Sequence, residues 1–150
     1  MPKQLQGLQV IQHLGQAYRS MQAAFSGRVG HALPRWRILF TLHEHGQCSQ
    51  KMLAEQCRLD PASLTRLLQA MQQQGWVTRS ADQNDNRVTN ASLTPAGHAV
   101  VDDALPRREA FFEDALQGLS DEDIQALTHA LDVLERNFAQ AGTSRIDPEN

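Results

Sequence analysis

The sequence lacks most of the features that mark membrane, secreted or disulfide-stapled proteins. It has two cysteines, Cys48 and Cys57, and aromatic residues make up only 5% of its 150 residues. Two cysteines are too few for a disulfide framework, and a chain of this length buries enough surface to fold without one. No apolar run approaches the roughly 20 residues that span a bilayer, and the polar N-terminus is unlike a secretory signal. We therefore expect a cytoplasmic protein without membrane contact.

The formal net charge of -3 hides an uneven distribution along the chain. Residues 1–34 carry three basic residues and no acidic one, and residues 35–87 carry seven basic and five acidic residues. Residues 88–150 carry four basic and twelve acidic residues. A basic front with an acidic rear is compatible with a polyanionic partner, because the local field at the contact face decides binding.

The spacing of apolar residues predicts a mainly α protein with one small β-hairpin. We expect helices over about 5–28, 34–45, 50–57, 61–74 and 95–116, and a last helix that follows Ser120. Segments 76–80 and 88–93 are rich in β-branched residues and flank a polar turn, which predicts the hairpin as the only β structure. Pro106 lies inside the long fifth helix, where we expect a kink or a break.

The order helix, helix, tight turn, helix, hairpin is that of a winged helix-turn-helix, which we assign to residues 34–94. The helix that begins at Asp60-Pro61 places its leucines on one face and hydrogen-bonding side chains on the other. Arginine suits the edge of guanine and glutamine that of adenine. The candidate DNA contacts on this helix and at the start of the preceding one are Ser49, Gln50, Ala62, Ser63, Thr65, Arg66 and Gln69. An ordinary solvated helix face would look similar.

The hairpin strengthens the interpretation as a DNA-binding protein. Arg87 follows its tip directly, and Arg79 lies on the opposing strand. A cation on a protruding hairpin can enter the narrow, negative minor groove. Asp85 is placed to hold Arg87 by an ion pair, although such a pair can also be a surface salt bridge of small value.

The chain resembles the MarR family of transcriptional regulators over about residues 5–140. The matching segments are 33–46, 49–55, 60–68, 75–79, 85–87 and 93–97, in the family's order. The resemblance implies a homodimeric repressor whose helical regions, 1–33 and 95–142, pair two winged-helix lobes on a pseudo-palindromic duplex. This wing reads Asp85-Asn86-Arg87, with one cation fewer than the usual Asp-Arg-Arg. The recognition helix ends Met71-Gln72, where Leu-Glu is common.

The last helix carries apolar residues at strict heptad spacing. These are Ile124, Leu127, Leu131, Leu134 and Phe138. The stripe is too narrow for a lone helix to bury in its own lobe, so we expect it to pair across a two-fold axis. Residues 143–150 are expected to form a disordered tail.

The resemblance also implies a small aromatic or phenolic acid as effector. Four residues near the first two helices are candidates for its pocket: Arg19, His31, Arg35 and Trp36. An arginine or histidine could hold a carboxylate while Trp36 stacks on a ring. Trp36 also begins an apolar helical face, so it could equally be plain core.

Three other hypotheses are compatible with the sequence. His43, His45 and Cys48 are close in sequence and could bind zinc, but the two histidines point away from each other on a helix. Cys48 could be a redox sensor if it is exposed, whereas Cys57 lies on an apolar face. A protein-binding winged helix without DNA affinity is the third. No phosphate loop, dinucleotide fingerprint or nucleophile elbow is present, so we expect neither enzymatic activity nor a cofactor.

Overall fold

The computed structural model describes residues 3–143 and is mainly helical, as predicted. In chain order the helices are α1 (Lys3–Val29), α2 (Leu33–His45), α3 (Gln50–Cys57), α4 (Pro61–Gln73), α5 (Pro95–Ala115) and α6 (Asp121–Thr143). The strands are β1 (Cys48–Ser49), β2 (Val77–Ala81) and β3 (Thr89–Leu93). The described residues divide into two compact units, with the boundary between Phe112 and Glu113. The assignment of 34–94 to DNA binding and of 1–33 and 95–142 to dimerisation stays a prediction.

Local capping sets the helix boundaries around the helix-turn-helix. The Ser49 hydroxyl accepts a hydrogen bond from the Met52 N–H at 3.1 Å, and the Asp60 carboxylate accepts one from the Ser63 N–H at 2.9 Å. Each bond satisfies an N–H that has no partner inside its helix. Gly46, with φ +73°, ends α2 in a conformation that favours glycine. The predicted starts of α3 and α4 are therefore confirmed.

The core lies under the helix-turn-helix and fixes which face of α4 points outward. Leu64, Leu68 and Met71 are almost fully buried on one side of α4. They belong to one apolar cluster with the side chains of α1, α2, α3, α5 and the strands, among them Phe25, Leu39, Leu42, Leu53, Val77 and Val101. Because the leucine face is buried, the polar face of α4 is left to solvent.

The sheet has three strands in the order β1-β3-β2, all antiparallel. The expectation that the hairpin is the only β structure is therefore wrong. Cys48 pairs with Ala91 and Ser49 with Asn90, which attaches the start of α3 to the hairpin. A strand of two residues is too short to show the alternation by which strands are recognised in a sequence.

Pro106 does not break α5, which runs from Pro95 to Ala115. Val101 and Ala104 are buried before the proline and Phe111 is buried after it, so both halves of the helix are anchored in the core. Pro106 itself is exposed. Tertiary packing therefore outweighs the lost backbone hydrogen bond.

The second compact unit contains α6, whose start is a capping box. The Ser120 N–H donates to Asp123 Oδ2 at 2.9 Å, and the Asp123 N–H donates to the Ser120 hydroxyl at 3.1 Å. No residue of α6 is buried. The helix extends to Thr143, one residue into the predicted tail, and the rest of that tail lies outside the described residues.

Candidate nucleic-acid interface and effector cavity

The outward face of α4 carries the predicted reading residues. Ala62, Arg66 and Gln69 are exposed, whereas Ser63 and Thr65 are half-buried at the edges of this face. Arg66 donates from Nη2 to the Ser63 hydroxyl at 3.1 Å, and that hydroxyl donates to Asp60 Oδ2 at 2.6 Å. The hydrogen bonds from Ser63 lower the pKa of Asp60 below its ordinary value. Arg66 is thus held along its own helix by a hydrogen bond to Ser63, which would have to break before the guanidinium could contact a base.

The two predicted contacts at the start of α3 have structural partners. Ser49 caps α3 through its side chain and pairs in β1 through its backbone. Gln50 donates from Nε2 to the Thr65 hydroxyl at 3.3 Å, which connects α3 to α4. Thr65 in turn donates to the Pro61 carbonyl at 2.9 Å. Gln50 Oε1 is buried and has no hydrogen-bond partner among the described residues.

The turn between β2 and β3 is built on Asp82. Its carboxylate accepts hydrogen bonds from the side chain of Asn90 at 2.8 Å and from the N–H groups of Asn84 and Asp85. The Asn90 bond is the largest cause of the lowered pKa of Asp82. The Asp82 N–H also donates to the Val88 carbonyl at 2.8 Å, which closes the turn. The wing is thus an ordered platform.

The predicted ion pair between Asp85 and Arg87 is confirmed. Arg87 donates from Nε and Nη2 to the two carboxylate oxygens of Asp85 at 3.0 and 3.1 Å. The Arg87 side chain is 90% exposed. These hydrogen bonds lower the pKa of Asp85. The guanidinium is presented to solvent with a carboxylate beside it.

Arg79 lies in a different setting from Arg87. It pairs with Ala91 within the hairpin, and its Nε donates to Gln72 Oε1 at 2.8 Å. Gln72 is the residue that departs from the family pattern at the end of the recognition helix. The departure therefore affects the surroundings of a predicted DNA contact.

The four residues predicted for an effector pocket do not form one group. Arg19 is exposed on α1. His31 stacks on Trp36 at 6.2 Å between ring centroids and meets Trp76 edge-on at 5.8 Å. Arg35 lies over the Trp76 ring, 6.0 Å from its centroid. Burial lowers the pKa of His31, and the nearby arginines lower it further. Of the four, only Trp36 lines the cavity among α1, α2, α3 and α5.

A cavity of about 380 Å³, the candidate effector cavity, lies among α1, α2, α3 and α5. Its walls are Met21, Phe25, Leu33, Trp36, Arg37, Phe40, Thr41, Gln56, Arg108 and Phe112. Trp36 and Phe40 stack with ring centroids 5.8 Å apart. The Arg108 guanidinium lies 4.3 Å from the centroid of Phe40 and 5.5 Å from that of Phe112. Aromatic faces next to arginines suit an aromatic anion. Sequence reasoning missed Arg108 because only the packing of α5 on α2 brings it here.

A larger cavity, of about 470 Å³, lies between α3 and α4. It has no aromatic wall, and its one cation, Lys51, is accompanied by Glu55. An aromatic acid would find neither a stacking face nor an uncompensated charge there. The lining of this larger cavity therefore suits an aromatic acid less well than that of the candidate effector cavity.

The residues considered for metal or redox sensing are not brought together. His43 Nδ1 lies 3.0 Å from His98 Nδ1, and His43 Nε2 lies 3.5 Å from Asp102, while His45 is exposed. Across residues 3–143, no group of three or more histidine, cysteine, aspartate or glutamate side chains is arranged to hold a metal ion. Cys48 and Cys57 are each 1% exposed. Burial raises the pKa of both thiols, so the exposure that redox sensing by Cys48 requires is not met.

The helix-turn-helix and the ordered wing define a winged helix-turn-helix protein. The MarR family matches residues 32–89. An organic hydroperoxide resistance transcriptional regulator from Bacillus subtilis is 34% identical over 107 residues, which are 71% of each chain. A solved "probable transcriptional regulator" from Pseudomonas aeruginosa is 30% identical, with a TM-score of 0.77, covering 84% of this chain and 96% of that one. The chain belongs to the MarR family.

One further solved structure is that of NadR in complex with 4-hydroxyphenylacetate. It is 25% identical with a TM-score of 0.64, covering 81% of this chain and 89% of that chain. The matched segments span only 64%, 66% and 62% of three other curated regulators. Within residues 3–143, no helix is both long and apolar enough to cross a membrane.

Proposed function

We propose that this chain is a homodimeric, sequence-specific DNA-binding repressor that acts in the cytoplasm and is released from its operator by a small aromatic or phenolic acid. The observation that carries the proposal is the division of α4 into two faces. Its leucines are buried, and Ala62, Arg66 and Gln69 are exposed on the other side. These side chains suit base edges in the major groove.

The wing supplies the second half of the DNA contact. An α-helix in the major groove leaves the hairpin beside it over the neighbouring minor groove. Arg87 is 90% exposed on an ordered turn, so little conformational entropy is lost when the turn meets DNA. The narrow minor groove attracts such a cation through its negative potential. In this arrangement α4 reads the base sequence, and the wing adds affinity through its charge.

The exposed apolar side chains of α6 support a dimer. Leu127 is 51% exposed, Leu131 39% and Phe138 51% in the single chain. A seam of this kind is normally buried against a partner helix. Two copies related by a two-fold axis would present two α4 helices to half-sites about one helical turn apart, roughly 34–36 Å.

The effector cavity supports control by an aromatic acid. Arg108 or Arg37 would hold the carboxylate, and the ring would lie against Trp36 and Phe40. The aromatic acid bound by the related NadR is of this class. Because α2 lines the cavity and also packs on α3, a ligand there can bias the position of the helix-turn-helix. Linkage then requires that bound DNA lower the affinity for the ligand by the same factor by which the bound ligand lowers the affinity for DNA.

The proposal is tested by selecting duplexes from a random library and measuring affinity against salt by fluorescence anisotropy. Selected duplexes should bind tightly, scrambled ones should bind weakly, and both affinities should fall with rising salt. Addition of 4-hydroxyphenylacetate should lower affinity for the selected duplex and raise the melting temperature of the free protein. If no duplex binds with salt-dependent affinity, the DNA-binding proposal is refuted and a protein-binding winged helix takes its place.

A further inference from the structure

The candidate DNA face is the surface formed by the exposed side of α4 and by the wing. Its three predicted contact arginines, Arg66, Arg79 and Arg87, differ in the group that accepts their hydrogen bonds. Arg87 is bound by the carboxylate of Asp85. Arg66 is joined through Ser63 to the carboxylate of Asp60. Arg79 is bound by a neutral amide oxygen, that of Gln72 at 2.8 Å. In the hydrogen bonds of this face, Arg79 is therefore the arginine whose positive charge is not offset by a carboxylate.

The position of Arg79 matters because a phosphate strand lies between the major and the minor groove of DNA. Gln72 is near the end of α4, and Arg79 is in β2 on the same side of the strand as the buried Val77. The hydrogen bond therefore crosses the gap between the recognition helix and the wing. A phosphate strand separates the major groove from the minor groove, so a helix in one and a wing in the other place this strand in the gap.

We propose that Gln72 is a positioning residue that aims Arg79 at the phosphate strand between the grooves and, because it is neutral, leaves the full charge of Arg79 available to that strand. This inference rests on the proposed DNA-binding function. A carboxylate at position 72 would hold the guanidinium equally well and cancel its charge. The neutrality of the amide therefore determines how strongly the protein depends on counterion release from DNA.

The proposal separates two effects of Gln72 that different substitutions remove. Gln72→Glu keeps the shape and the hydrogen bond but adds a charge that neutralises Arg79. Gln72→Ala removes the bond and leaves the charge of Arg79 in place. Gln74→Glu is the matched control, because Gln74 is an exposed glutamine at the same helix end. It adds the same charge next to the same helix terminus, away from the bond.

The experiment measures the affinity of the full-length protein for a fluorescein-labelled duplex of arbitrary sequence, about 30 base pairs long to hold two half-sites with flanks. Affinity is plotted against salt on logarithmic axes. Gln72→Glu should reduce the slope by about one unit per subunit and weaken binding about eightfold per subunit at 0.1 M salt. Gln72→Ala should weaken binding about 2- to 10-fold through lost pre-organisation, with the wild-type slope.

The double variant Gln72→Glu/Arg79→Ala should have the slope of Arg79→Ala alone, because Gln72→Glu lowers the slope only by neutralising Arg79, and with Arg79 absent there is no phosphate-bound cation left for it to neutralise. Circular-dichroism melting of each variant checks that it is folded. If Gln72→Glu keeps the wild-type slope, or if Gln74→Glu lowers the slope as much, the inference is wrong while DNA binding stands. If the wild-type protein itself shows no salt-dependent affinity, the proposed function fails instead.

Discussion

Replacing Arg66 by alanine should relax sequence preference at one base position in each half-site. Arg66 is exposed on the outward face of α4, and its Nη2 donates a 3.1 Å hydrogen bond to the Ser63 hydroxyl. Breaking the hydrogen bond to Ser63 costs little free energy, because an exposed hydrogen bond between side chains exchanges readily with water. The guanidinium is therefore free to turn to a guanine, where it can form two parallel hydrogen bonds.

The size of the effect follows from that contact. A bidentate arginine–guanine pair discriminates against a wrong base by about 1–3 kcal/mol, which is about 5- to 150-fold in affinity. A dimer that reads two half-sites loses about twice this free energy. Arg66→Ala should therefore bring the selected duplex much closer to a scrambled duplex, whose binding through phosphates changes less.

Arg87→Ala is the matched comparison on the wing. In the proposed complex Arg87 enters the minor groove, which is read by width and charge more than by base identity. Its loss should weaken selected and scrambled duplexes by similar factors. The assay is anisotropy on duplexes that carry each base at every position of one half-site. If Arg66→Ala leaves all these preferences unchanged, α4 does not read the sequence through Arg66.

Three further predictions concern the effector, the dimer and acid. Arg108→Gln should weaken binding of 4-hydroxyphenylacetate about 10- to 150-fold by calorimetry, because a charge-assisted bond is lost; phenol, which has no carboxylate, should bind unchanged, and an equal loss for both would refute the role. Leu131→Glu with Leu134→Glu should give monomers that bind DNA poorly, and a fully dimeric variant in sedimentation would contradict the α6 seam. The lowered pKa of Asp82 means that its stabilisation of the wing is present above the ordinary carboxylate pKa and is lost as pH falls through the lower, folded value. The protection factors of the β2 and β3 amides, which correct for the intrinsic slowing of amide exchange in acid, should therefore fall as the pH drops, and Asp82→Asn should remove most of that dependence. An unchanged acid response in Asp82→Asn would show that another group is responsible.

Much of the candidate DNA face could be predicted because its determinants are local. The caps at Ser49 and Asp60 each involve residues three apart, and the Asp85–Arg87 pair involves residues two apart. Such contacts depend on backbone geometry that the sequence itself specifies. The two faces of α4 follow likewise from the helical repeat of 3.6 residues.

The sequence by itself thus determined the winged helix-turn-helix order, the helix starts and the outward face of α4. Only the tertiary structure decided the pairing of β1 with β3, the bond from Arg79 to Gln72, and the candidate effector cavity, where Arg108 lies over Phe40. The tertiary structure also decided that His31 and Arg35 contact Trp76, whereas Arg19 is exposed on α1. These contacts join different elements, and their partners are chosen by how helices and strands pack, which no local pattern encodes.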